Sequence, residues 1–74
     1  MVSEIVKAEC KKKNISLAEL ERKAQLGNGT IGKWTEETVP TIDVMIKIAN
    51  VLKINVNVLI KAAKEAAKRK MESE

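Results

Sequence analysis

Histidine, tyrosine and phenylalanine are absent from these 74 residues, which include one cysteine, one proline, one tryptophan and three glycines. Without histidine, a zinc site of the His/Cys kind lacks ligands, and the commonest general base is missing. No catalytic or metal-ligating constellation is visible, so the chain is not expected to be an enzyme. A lone Cys10 cannot form an internal disulfide and suits a reducing, cytoplasmic compartment. No apolar run approaches the roughly 18 residues a membrane span requires. The opening MVSEIVKAEC carries acids among its apolar positions and lacks the order of a secretory signal. The length suits one small domain across residues 1–74 with a modest core. It does not suit a doubly wound sheet, in which one strand–helix–strand unit takes roughly 30 residues.

What is present is balanced for a globular chain: 45% hydrophobic and 32% charged residues. Net charge is +4, from 14 Lys+Arg against 10 Asp+Glu, which is compatible with a nucleic-acid partner. The excess lies largely in Lys11, Lys12 and Lys13 and in the tail KAAKEAAKRK. Each cluster reads equally well as lysines favouring a helix C-terminus or as a phosphate-binding patch.

Apolar spacing predicts an all-α chain. Val2, Ile5, Val6 and Cys10 fall on one helical face, followed by the three lysines and by Asn14, a left-handed terminator. SLAE, residues 16–19, is a capping box opening a second helix, LAELERKAQL, with Leu17, Leu20, Ala24 and Leu26 facing inward. Thr30 to Glu37 holds Ile31 and Trp34 at i and i+3, a short third helix broken before Pro40. Thr41 caps a fourth helix whose inner face reads Ile42, Met45, Ile46, Ala49 and Leu52, with Asp43 in its first turn. KINVNVLI alternates like a strand but has no partner strand. A loop ending at Asn55 as N-cap, then a fifth helix through the alanine-rich tail, is preferred. The tail, about residues 70–74, is expected to fray.

Residues 27–32, GNGTIG, match the dinucleotide-binding pattern G-x-G-x-x-G letter for letter. That pattern works when a strand feeds the loop and an acid about 20 residues on holds the ribose. Here a capped, charged helix precedes it, and Lys47 to Asn50 offers no acid. The match is an accident, and no cofactor is expected. Two helices joined by a few residues with glycine near the turn form instead a helix-turn-helix pattern.

LAELERKAQLGNGTIGKW, then PTIDVMIKIANVL, then NVNVLI, carry a resemblance to the phage repressor and Cro family, the XRE-like regulators. It covers about Ile15 to Ile60. The resemblance implies a compact five-helix, lambda-repressor-like domain with its motif at about 17–36. It also implies sequence-specific binding to double-stranded DNA by a phage- or prophage-type repressor, with helix 28–36 in the major groove. Asn28 and Lys33 become the side chains expected at base edges, Asn for adenine and Lys for guanine; otherwise each is a plain exposed polar residue. Gly29 and Gly32 offer no side chain there: either they let the backbone approach DNA closely, or the short helix tolerates them because packing holds it. The phosphate contacts expected are the side chains of Thr30, Lys11, Lys12 and Lys13 and the backbone N–H groups near Leu17 and Thr41. Glu36 and Glu37 would repel phosphate and are expected to face solvent.

Two positions depart from the family pattern. Glu21 stands where a small residue is usual, so its carboxylate is expected to swing outward. Gln25 stands where the turn usually has glycine; a left-handed non-glycine residue costs roughly 1–2 kcal/mol, so the turn is expected to be either slightly remodelled or strained. Trp34, Cys10 and Met45 read as core. Val56, Val58, Leu59 and Ile60 exceed what one small helix needs and suggest a homodimer interface. The rival expectation is a protein-interaction module on the same fold, an antirepressor- or antitoxin-like partner. No membrane or small-molecule partner is expected.

Overall fold

The computed structural model describes residues 2–35 and 37–72, and the side chains up to residue 69. Among the described residues there are four helices: α1 (Val2–Lys12), α2 (Leu17–Lys23), α3 (Ile42–Leu52) and α4 (Val56–Glu72). No strand occurs among the described residues, so the all-α expectation stands. Helix α4 is assigned as far as Glu72; Ser73 and Glu74, at the end of the tail expected to fray, lie outside the described residues.

Local chemistry sets most boundaries. Ser16 Oγ accepts from the Glu19 N–H at 3.1 Å, while the Glu19 carboxylate lies 3.6 Å from Lys23 Nζ, one turn further on. Thr41 caps α3 by accepting from the Val44 N–H at 3.4 Å, and Asn55 Oδ1 accepts from the Asn57 N–H at 2.9 Å as α4 begins. Three helices end on a residue in the left-handed region: Asn14 at φ 60°, Gln25 at φ 59° and Lys53 at φ 56°. The N–H after each reaches back five residues: Ile15 to Cys10 O, Leu26 to Glu21 O and Ile54 to Ala49 O, at 2.9, 2.7 and 3.1 Å. These are Schellman turns, in which the apolar residue after the left-handed one folds back on the helix. Ile15, Leu26 and Ile54 all pack on the core. Sequence reading expected Asn14, the family pattern drew attention to Gln25, and nothing pointed to Lys53.

The core joins Val2, Val6 and Cys10 of α1, Leu20 of α2, Met45, Ile48, Ala49 and Leu52 of α3, and Leu59, Ala62 and Ala63 of α4. Helix α4 packs along both α3 and α1. The expected inner face of α3 is corrected at two positions, since Ile42 and Ile46 are 60% and 42% exposed while Ile48 is fully buried. Apolar residues cover more than half of the circumference of α3, and packing against α4 and α1 selects which part is covered.

The third helix is the main correction. Residues 28–33 run as successive turns, so four helices stand where five were expected. The Thr30 N–H donates to Gly27 O at 3.1 Å and the Trp34 N–H to Ile31 O at 3.0 Å, with one longer helical step from the Lys33 N–H to Gly29 O at 3.2 Å. Gly29 at φ 82° is incompatible with a right-handed helix beginning at 28. Ile31 nevertheless reaches the core with no exposed surface, so packing holds the segment where propensity does not.

Candidate nucleic-acid interface

The segment after α2 is fixed at three points. Ile31 is buried among core residues at its centre, and half-buried Trp34 packs beside it. Ser3, itself buried on α1, donates from Oγ to Thr35 O at 3.2 Å and ties down the far end. The near end is held by Glu21. Its Oε1 accepts from the Gly29 N–H at 3.0 Å, and its Oε2 accepts from the Ile31 N–H at 2.7 Å and the Gly32 N–H at 3.4 Å.

Glu21 is therefore a correction: its carboxylate turns inward rather than outward, and the residue is 4% exposed. The N–H of Gly29 is the main cause holding its pKa below the usual carboxylate range; burial opposes that shift, and the N–H groups of Ile31 and Gly32 add to it. The physical need is plain. A short segment opening on GNG has no side chain of its own placed to accept its first N–H groups, and an orphaned buried donor costs about 1–3 kcal/mol. That orphan requirement, with an acid in the last turn of α2, is the sequence signal that could have identified the residue.

Asn28 and Lys33 are both exposed, one on each side of the clamped stretch. Asn28 joins Ala18, Glu21, Arg22 and Leu26 around a shallow depression. Gly29 is half-buried, whereas Gly32 is exposed. Half-buried Thr30 donates its hydroxyl proton to Gly27 O at 2.6 Å, which occupies the donor expected to meet phosphate. Lys11 and Leu17 line a second depression together with Lys7, Cys10, Asn14, Ile15 and Ser16. Two expected backbone contacts thus come together beside Lys7, a cation that sequence reading passed over. Lys12 is exposed, and Lys13 Nζ lies 4.0 Å from Glu9. Thr41 is exposed at the start of α3, its hydroxyl engaged in capping. Glu37 is exposed as expected, and Glu36 lies outside the described residues.

Cys10 is buried, and that burial, with the Glu9 carboxylate as a lesser cause, pushes its thiol above the ordinary value. It behaves as a small core residue. Among the described residues no group of His, Cys, Asp and Glu could hold a metal ion. Nor is any described helix long and apolar enough to cross a membrane.

A capped helix, a left-handed turn and a short exposed segment seated on the core define the helix-turn-helix class. A family model described as Helix-turn-helix matches residues 6–59, and the chain belongs to that family of DNA-binding transcription regulators, in its Cro/repressor-like (XRE) branch. Neither a curated protein nor a solved structure matches the chain.

Proposed function

We propose that residues 1–74 act as one sequence-specific reader of double-stranded DNA, a small phage- or prophage-type repressor working in the cytoplasm. The segment 28–36 enters the major groove. Asn28 and Lys33 meet base edges there, and the backbone at Gly29 approaches closely. Lys11, Lys12 and Lys13 and the N–H groups near Leu17 and Thr41 contact the flanking phosphates. The N–H and hydroxyl of Thr30 both donate to Gly27 O, so the phosphate contact expected of Thr30 is left out of this reading. The observation that carries this reading is the exposure of Asn28 and Lys33 on a segment anchored at Glu21, Ile31 and Ser3. A rigid platform holding two polar side chains outward is what base readout requires.

The reading includes a homodimer on a palindrome, with half-sites roughly 34–36 Å apart. Of the four residues expected at its interface, Leu59 is taken up by the core and Val58 remains 48% exposed. Val58 lines a groove with Ile5, Lys61, Ala62 and Glu65, which is the surface we assign to the second copy.

Selection from a randomised duplex pool at about 150 mM salt, where nonspecific phosphate binding is already weakened, tests the reading. An enriched palindrome is expected. The protein-interaction module remains the second reading, favoured by Val39, Ile42 and Ile46, exposed apolar residues that follow the segment in the chain. No enrichment together with no low-salt binding would sink the repressor reading in its favour.

A further inference from the structure

We infer that Glu21 is a positioning residue for sequence recognition: its buried carboxylate, bonded to the backbone N–H groups of Gly29, Ile31 and Gly32, fixes the non-helical course of residues 28–33 and so decides which bases Asn28 and Lys33 reach. This rests on the DNA-reading function proposed above.

The geometry is that of a clamp rather than of a cap. An ordinary N-cap side chain accepts one or two N–H groups within three residues of itself. Glu21 gathers three, at sequence separations of eight, ten and eleven, and divides them between both oxygens. Engaging both oxygens fixes the plane of the carboxylate as well as its distance from the segment. Its own backbone is fixed too, because Glu21 O accepts from the Leu26 N–H at 2.7 Å in the turn that closes α2. The clamp therefore joins a rigid helix end to a segment with a single helical bond of its own, from the Lys33 N–H to Gly29 O. Gly29 at φ 82° supplies the bend that points its N–H at Oε1. A second consequence is electrostatic. Those N–H groups would otherwise form an anion-binding concavity, and the carboxylate occupies it. Phosphate is thereby denied this part of the segment, and recognition falls to the outward side chains.

The test compares binding to the duplex enriched by the wild-type protein with binding to a scrambled duplex, with a melting curve for every variant. Glu21→Gln keeps size and one acceptor oxygen but turns an amide N–H2 toward backbone N–H groups. It is expected to lose discrimination about tenfold or more, at the low end of what one good base contact is worth, while low-salt binding to the scrambled duplex persists. A folded Glu21→Gln protein that discriminates like the wild type would overturn the inference. Glu21→Ala in sodium acetate, against sodium chloride at equal ionic strength, answers the case in which Glu21→Gln does not fold. Acetate entering the vacated site is expected to raise the melting temperature and restore discrimination together. Recovery of folding without recovery of discrimination refutes a role in recognition. Failure of the function itself shows earlier and differently, as a wild-type protein that prefers neither duplex, and the inference falls with it.

Discussion

Four of the described residues occupy the left-handed backbone region, and only Gly29 among them is a glycine. That asymmetry allows a paired test at Gln25 and Gly29. Gln25, at φ 59°, is exposed and its side chain has no hydrogen-bond partner among the described residues, so replacing it removes little besides the Cβ. The Cβ costs roughly 1–2 kcal/mol in this conformation. Glycine gives part of that back through its greater freedom in the unfolded chain, about 0.5–1 kcal/mol. Gln25→Gly is therefore expected to stabilise the fold by about 0.5–1 kcal/mol, or about 2–8 °C in melting temperature for a domain of this size. Gly29→Ala runs the comparison backwards. At φ 82° a Cβ built there meets nothing within 4 Å, so its penalty is purely conformational and about equal in size with opposite sign. Gly32→Ala is the control, since its φ is not positive and its nearest neighbour, Gly29 O, lies at an ordinary 3.6 Å; it should be neutral or slightly stabilising. Thermal and urea unfolding followed by helix circular dichroism would measure all three. If Gln25→Gly destabilised the protein while Gly29→Ala had no effect, the left-handed turn would not be the source of strain.

Further consequences follow from the anchors of the segment. Ile31→Ala removes a fully buried side chain and is expected to cost about 2–5 kcal/mol in urea unfolding; a loss below 1 kcal/mol would mean that Ile31 is not seated in the core. Ser3→Ala breaks the partly buried bond to Thr35 O and should cost about 0.5–1.5 kcal/mol, less than Ile31→Ala. The depressed pKa of Glu21 gives a signed pH dependence. The carboxylate's contribution is fully present above its unfolded pKa and is lost as pH falls through the lower folded value. The gap in melting temperature between wild type and Glu21→Gln should therefore be widest near neutrality and close in acid, whereas a constant gap would contradict the clamp. Lys11→Ala should reduce the slope of log affinity against log salt by about 1 if Lys11 neutralises one phosphate, and leave it unchanged if the lysine is a solvated helix end.

The element boundaries were legible because they depend on neighbours. Ser16, Thr41 and Asn55 act on N–H groups two or three residues away, and Asn14 needs only its own tolerance of a left-handed backbone. The family resemblance carried by LAELERKAQLGNGTIGKW has the same local character, and so the motif could be placed without coordinates. The course of residues 28–33 was not local. The Ile31 and Trp34 spacing suits a helix, but Gly29 bends left-handed, and the opening N–H groups of the segment go to Glu21, eight to eleven residues earlier. Nothing in a window of a few residues distinguishes a carboxylate turned outward from one turned in to accept three donors. Ser3 and Thr35, 32 residues apart, lie further still beyond such reasoning.

The sequence by itself thus determined the four long helical segments, the caps at Ser16, Thr41 and Asn55 and the presence of a helix-turn-helix, because periodicity and capping act over one or two turns. Only the tertiary structure decided which side of α3 is covered, that the recognition segment is a clamped run of turns, and that Glu21 holds it. Those outcomes depend on which surfaces meet and which buried donors remain to be satisfied, and neither is settled until the chain has closed on itself.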